Sequence, residues 1–292
     1  MKTLKDDKVK IRKIDRKDPE YPAQLSHIYD PPKSLYLKGR DLTASSLRIA
    51  IVGARRCTSY GSLLSFELAR DLAARGATIV SGLARGIDAA AHRGALESGG
   101  ATIAVLGCGL GHIYPKENRE LYKDITLSGT LVSEYDTETQ PLAYHFPARN
   151  RIISGISTAV IIVEAGKKSG ALITADFAME QGREVMAVPG SVKNPGSGGS
   201  HELIKNGAAL ITDADDVFEE LGIETETQAV IKEEILEDEL KVLEGLDYEP
   251  IIPDRLAAAL GLSISELAPT LLSLELKGFI RKSIGGEILR VK

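Results

Sequence analysis

The chain has 292 residues, 43% hydrophobic and 26% charged, which suits one large or two ordinary globular cores and is far from disordered composition. No apolar run approaches the roughly eighteen residues of a membrane span, and the N-terminus (MKTLKDDKVKIRKIDRKD) is charged throughout, so no secretory leader is expected and the chain reads as cytoplasmic. The net charge of −5 is uneven: residues 212–250 hold fifteen acidic side chains against two lysines, which leaves the rest with a surplus of eight positive charges and room for a basic face.

Residues 1–46 read as an N-terminal extension and lead-in segment, with twelve Lys/Arg against seven Asp/Glu over residues 1–48. From 47 to 221, short β-branched runs alternate with longer amphipathic stretches. LRIAIVG (47–53) is an expected buried strand, and SYGSLLSFELARDLAARG (59–76) an expected helix with Leu64, Leu68 and Leu72 on one face. Further strands are expected at TIVSG (78–82), TIAVLG (102–107), TLVSEY (130–135), AVIIVEAG (159–166), EVMAVPG (184–190) and AALIT (208–212). Helices are expected around ENRELYKDI (117–125) and at ALITADFAMEQG (171–182). Such alternation implies right-handed β-α-β units and an α/β, Rossmann-like, doubly wound, mostly parallel sheet.

Residues 222–233 form an expected acidic linker, and 234–292 a small C-terminal winged-helix domain. Its helices are ILEDELKVLEGL, IPDRLAAALG and SISELAPTLLSLELKG, the last with Ser263 and Glu266 as a capping box and Leu267, Leu271 and Leu274 on one face. FIRKSIGGEILRV places Gly285-Gly286 between two strands as a hairpin. A duplex-reading helix offers Arg, Lys, Asn or Gln to base edges. This one offers Ser265 and Glu266 and no cation before Lys277, with Arg281-Lys282 in the wing, so a protein-contact or regulatory role is expected.

In an open α/β sheet, function collects at the carboxyl ends of the strands. The turns there are GARRCTSYG (53–61), SGLARGID (81–88), GCGLGH (107–112), FPARNR (146–151), KKSGALIT (167–174) and NPGSGGSHELI (194–204). They are rich in glycine, hydroxyls and arginine, the chemistry of anion sites at helix starts. Arg55 with Arg56, Arg149 with Arg151, and Lys167-Lys168-Ser169-Gly170 are candidates for one cationic crevice. Asp88 is expected to orient backbone in its turn, and Ser200 to cap the helix that follows it. GCGLGH fails the dinucleotide fingerprint at His112 and reads as a structural turn, and no P-loop occurs, so no cofactor is expected.

Glu134 and Glu164 end strands and could form an acid-base pair, yet no nucleophile stands at a recognisable spacing, and the expected role is to orient neighbouring cations. Cys57 and Cys108 and the five histidines form neither a disulfide framework nor a zinc pattern, so no metal and no catalytic residue is expected.

GARRCTSYG, SGLARGIDAAAHRGAL, AVLGCGLGHIYPKEN, SEY, HFPARNRIISG, VEAGKKSGALITADFAMEQGREVMAVPG and HELIKNGA, in this order, resemble the DNA-processing protein A (DprA/Smf) family, and YPAQLSHIYDPPKSLYLKG matches its lead-in. The resemblance spans about residues 19–221. It implies a non-enzymatic, dimeric protein that binds single-stranded DNA and helps load a RecA-type recombinase onto strands coated by single-strand-binding protein, as in natural transformation. By motif it implies DNA contact at Arg55 and Lys168, and also at Arg85, Arg149 and Arg151, with Arg56, Ser169 and Gly170 beside them. Ala171 stands where relatives often have serine or an aromatic that touches a base, so base stacking is not expected there; aromatics are 5% of the chain and tryptophan is absent, so phosphate contacts are expected to outweigh stacking, with Tyr60 and Phe146 the nearest stacking candidates. Dimer contacts are implied near Ile204 and Leu210, and the 18 residues before Pro19 are too short for the N-terminal helical domain of some members. The competing readings are a nucleotide-processing enzyme of the lysine-decarboxylase-like/phosphoribohydrolase type, whose P-G-G-x-G-T-x-x-E loop survives only as a loose echo in PGSGGSHE (195–202), and a transcriptional regulator resting on the winged helix alone.

Overall fold

Period-two burial sets the architecture. In β3 (Arg48–Val52), Ile49 and Ile51 face one helical layer while Ala50 and Val52 face the other, and all four are buried. The structure, a computed structural model, describes residues 9–42, 47–224, 236–246, 250–282 and 286–290, and the chain divides into two units, 1–225 and 226–292.

In the first unit, β1 (Arg12–Asp15), β2 (Ser34–Gly39), β3, β4 (Thr78–Ser81), β5 (Thr102–Val105), β6 (Thr130–Ser133), β7 (Ala159–Ile162), β8 (Glu184–Ala187) and β9 (Ala209–Leu210) form one sheet in the order β1-β2-β6-β5-β4-β3-β7-β8-β9. Strands β3 to β9 are parallel to their neighbours, whereas β2 pairs antiparallel with both β1 and β6. Residues 12–15 and 34–39, expected to precede the sheet domain, are therefore part of its sheet. Both are short segments with polar residues interleaved, β1 at the sheet edge and β2 next to it, and neither shows the apolar run of a buried strand.

The helices are α1 (Ala23–Ser26), α2 (Ser59–Ala74), α3 (Ile87–Glu97), α4 (Arg119–Ser128), α5 (His145–Gly155), α6 (Gly170–Glu180), α7 (Gly198–Lys205) and α8 (Ala214–Glu220). Buried residues of α1, α5, α6 and α7 join one core cluster, while those of α2, α3 and α8 join a second on the opposite strand face, and α4 packs with Leu83, Leu106 and Leu131. Ser200 does not cap α7: it lies inside that helix, fully buried, and Ser197 takes the N-cap position.

One buried group in this unit has a pH consequence. Thr102 Oγ1 donates to the Ile79 carbonyl (2.9 Å), so toward His92 Nδ1 (2.7 Å) it accepts, and the ring proton of the fully buried His92 sits on Nδ1. Nε2 has no partner among the described residues, which suits a neutral imidazole, and burial, with Arg149 and Arg93 adding to it, pushes His92 down from 6.5 to about 3. The unfolded chain takes up that proton near pH 6.5, the folded chain only near 3; this contribution is therefore complete above 6.5 and drains as pH falls. Denaturant titrations should show a loss of roughly 2 kcal/mol between pH 6.5 and 5, flattened in His92→Gln. An unchanged slope in the variant would assign the loss to other groups.

The second unit contains α9 (Glu237–Glu244), α10 (Pro253–Leu260), α11 (Ile264–Leu276), β10 (Ile280–Lys282) and β11 (Ile288–Arg290), the last two paired antiparallel as a wing. Ser263 and Glu266 form the expected capping box, and Leu267, Leu271 and Leu274 are buried with Val242, Leu256, Ile280 and Ile288. Glu239, buried, accepts from Leu236 N (2.8 Å), Ser273 Oγ (2.6 Å) and Lys277 Nζ (2.7 Å), which ties α9 to α11. Gly285 and most of the expected linker lie outside the described residues. No single helix among the described residues is long and apolar enough to cross a membrane.

Candidate nucleic-acid interface

From β3 the chain adds β4, β5 and β6 on one side, then returns to place β7, β8 and β9 on the other, so the topological switch point lies between β3 and β7. A cavity of about 330 Å³ opens there, lined by residues that include Gly53 and Arg55 after β3, Asp88 after β4, Ser169 and Gly170 after β7, and Arg149 and Asn150 from α5. The walls are tightly fitted. A Cβ on Gly53 would lie 2.6 Å from Ile87 Cγ1, and Gly86, at φ 74°, would bring one to 2.3 Å from the Ala54 carbonyl. The turn that carries Arg55 is thereby pressed against the start of α3.

Glu164 fixes the same turn from the far side. It is buried and accepts from Thr58 Oγ1 (2.7 Å) and Thr58 N (3.1 Å), while its carbonyl accepts from Ala54 N (2.7 Å). Thr58 Oγ1 in turn accepts from Gly61 N (3.0 Å), capping α2. Glu134 instead takes both Arg151 amino groups, at 2.8 and 2.7 Å. The two carboxylates follow β6 and β7, between which the sheet inserts β5, β4 and β3. They are no acid-base pair; Glu134 orients a cation as expected, and Glu164 orients a threonine rather than a cation.

The arginines of FPARNRI separate. The segment is helical from His145, not a loop, so Arg149 and Arg151 stand two residues apart on a helix and point to different sides. Arg149 is 4% exposed and donates through Nη1 to the carbonyls of Gly82 and Val105 at the ends of β4 and β5. Gly82 is needed for this, since a Cβ there would lie 2.6 Å from the guanidinium nitrogens. Burial lowers Arg149 to about 10, against the pull of Asp88, and burial raises Asp88 against the pull of Arg149. Asp88 accepts from Gly82 N (3.1 Å) and Ala84 N (3.3 Å), the backbone-orienting role expected of it. Arg149 is thus a brace on the crevice floor rather than an open wall. Arg151 leaves the crevice altogether: it also bonds Asp30, and it lines a separate cavity with Gln24, His27 and Gln181.

What faces outward is different. Arg55, Arg56, Lys167 and Lys168 are exposed, and none forms an ion pair with a described residue. Arg85, also exposed, meets Glu117 at 3.3 Å, a surface pair that another anion can displace. Ser169 caps α6 by accepting from Ala171 N (3.3 Å), and Asn150 Nδ2 donates to Gly170 O (3.3 Å), holding the helix start against α5. The first N–H groups of α6 and the exposed lysines before it form an edge whose charge and donors suit an anion. Sequence reasoning missed Asn118, buried, whose amide donates to the carbonyls of Leu83 (2.9 Å) and Ala84 (3.2 Å) and shapes the turn before Arg85. It missed Tyr114 too, whose ring lies 5.2 Å from that of Phe146.

The glycines of GCGLGH have packing roles. A Cβ on Gly107 would come 2.9 Å from Phe146 Cδ1, and one on Gly109 2.0 Å from the Asp136 carbonyl. Ile204 packs partly buried against the core, whereas Leu210, on edge strand β9, is 51% exposed.

Residues 12–222 match the family model described as DNA recombination-mediator protein A, and residues 226–286 match that of the DprA winged helix domain. Protein Smf of Escherichia coli is 41% identical over 92% of this chain and 74% of its own length. The DNA processing protein DprA of Bacillus subtilis is 48% identical over 69% of this chain and 68% of its own. Among solved structures, DprA from Streptococcus pneumoniae superposes with a TM-score of 0.69 at 44% identity, over 74% of this chain and 76% of that one. DprA from Helicobacter pylori, whose structure is described in terms of its single-stranded DNA binding mode, gives 0.66 at 33% identity over 73% and 95%. With residues 12–222 and 226–286 matched by models of DNA recombination-mediator protein A and of the DprA winged helix domain, this chain belongs to the DNA recombination-mediator protein A (DprA/Smf) family.

Proposed function

We propose that this protein binds single-stranded DNA without sequence preference along the switch-point crevice and helps load a RecA-type recombinase onto it, in recombination and in the uptake of transforming DNA. The observation that carries the reading is the edge of exposed cations, Arg55, Arg56, Lys167 and Lys168, over the capped start of α6. Fixed backbone donors with mobile cations beside them hold phosphate oxygens whatever the base. The Helicobacter pylori relative, described by its single-stranded DNA binding, supports the same ligand here.

The protein acts by binding rather than by catalysis, since both carboxylates at the strand ends are committed to bracing contacts. The partners are a RecA-type recombinase, single-strand-binding protein on the coated strand, and a second copy of the chain. Dimerisation is supported by a groove of about 740 Å³ lined by Leu172, Leu203, the 51%-exposed Met179 and Ala209 of edge strand β9, the strand that also carries the 51%-exposed Leu210. The winged helix serves protein contact: α11 exposes Ile264, Leu272 and Leu276, and Lys277 at its end is tied to Glu239.

A titration with labelled single- and double-stranded oligonucleotides at two salt concentrations tests the reading. Single strands should bind more tightly than duplex, with an affinity that falls steeply as salt rises. Preference for duplex would sink it, and turnover of AMP would transfer the crevice to the nucleotide-processing alternative.

A further inference from the structure

The crevice rim carries an aromatic that the fold does not use. Tyr114 is 41% exposed, its hydroxyl makes no hydrogen bond with a described residue, and one face of its ring rests on Phe146 at 5.2 Å with a 35° tilt. Phe146 is itself held: Gly107 leaves space beneath its ring, and the Arg55 guanidinium carbon stands 5.5 Å from its centroid. Arg55, Arg85, Tyr114 and Phe146 line a single notch of about 30 Å³, far too small to enclose a base, so a base could only lie against it from outside. A partly exposed ring supported by a second aromatic, with two arginines lining the same notch, has the composition of a stacking platform.

We propose that Tyr114, backed by Phe146, stacks one nucleobase of the bound strand while Arg55 and Arg85 hold the phosphates beside it. The proposal rests on the single-strand reading above and adds to it a base-dependent contact at Tyr114, with Phe146 as its support rather than as the stacking residue itself. It also gives Arg85 a switchable role, its exposed pair with Glu117 giving way to phosphate. Binding then discriminates a base-bearing strand from a bare sugar-phosphate chain, while remaining tolerant of which base is present.

The experiment compares oligothymidylate with an oligonucleotide of equal length built of abasic sites, on wild type, Tyr114→Leu and Tyr114→Phe, each checked by thermal melting. Tyr114→Leu should weaken oligothymidylate about tenfold and the abasic strand by less than about twofold, with Tyr114→Phe close to wild type. A second readout needs no variant: a single 2-aminopurine among thymidines should lose fluorescence on binding to wild type. Equal loss of both strands in Tyr114→Leu, no loss of either, or no quenching at any position along the strand overturns the platform. If wild type binds neither strand, the underlying single-strand reading fails instead. If wild type binds both equally and tightly, that reading stands and the platform alone falls.

Discussion

Arg149→Met should cost about 3–5 kcal/mol of folding stability, the range for removing one member of a buried charged constellation. The guanidinium donates to the Gly82 and Val105 carbonyls, and methionine would fill its volume while leaving both strand-end acceptors without that donor. Asp88, 5% exposed, would lose the cation that most opposes its desolvation. Its carboxyl, already raised in the folded state, would rise further. A carboxyl raised by folding favours the folded state at low pH and weakens it as pH climbs, so the deficit of Arg149→Met should be larger at pH 7 than at pH 5. Thermal melting of the variant and of Arg149→Met with Asp88→Asn checks this, and the added Asn should restore part of the loss. A variant that melts with wild type but fails to bind DNA would make Arg149 a ligand after all.

Why the sequence leads to the crevice but misassigns its arginines is a matter of periodicity. Runs such as AVIIVEAG and LRIAIVG announce buried parallel strands by apolar content alone, and the strand-helix alternation fixes where their carboxyl ends lie. The order of strands along the sheet is a long-range fact, invisible to local pattern, and it is what separates Glu134 from Glu164. FPARNRI reads as a loop because Pro147 interrupts it and no side chain caps the helix at Tyr144; proline is nonetheless tolerated in a first turn, where its missing N–H was unpaired anyway. Once the segment is helical, the separation of Arg149 from Arg151 follows from its pitch. Short edge strands such as RKID carry too little apolar signal to register, and a packing glycine such as Gly107 looks the same in sequence as a phosphate-binding one.

The remaining cations bear the functional claim, and reversing two of them is its strongest test. Arg55→Glu with Lys168→Glu changes the crevice edge by four charges; both side chains are exposed, and the packing contact given up is that of Arg55 with the half-buried Phe146 ring. Single-strand affinity should fall at least about 100-fold at low salt, with the salt slope flattened by about 1.4 if each residue neutralises one phosphate. Melting should stay at the wild-type temperature, which separates this variant from Arg149→Met. Because Arg55 stands in the turn after β3 and Lys168 in the turn after β7, on separate segments, each reversal alone should give close to half the logarithmic loss. A loss carried wholly by Lys168→Glu would shrink the interface to the start of α6 and leave Arg55 as a prop for Phe146. A loss shared equally by duplex would mean that the edge reads charge alone, and the preference for single strands would then have to come from the rings at Tyr114 and Phe146.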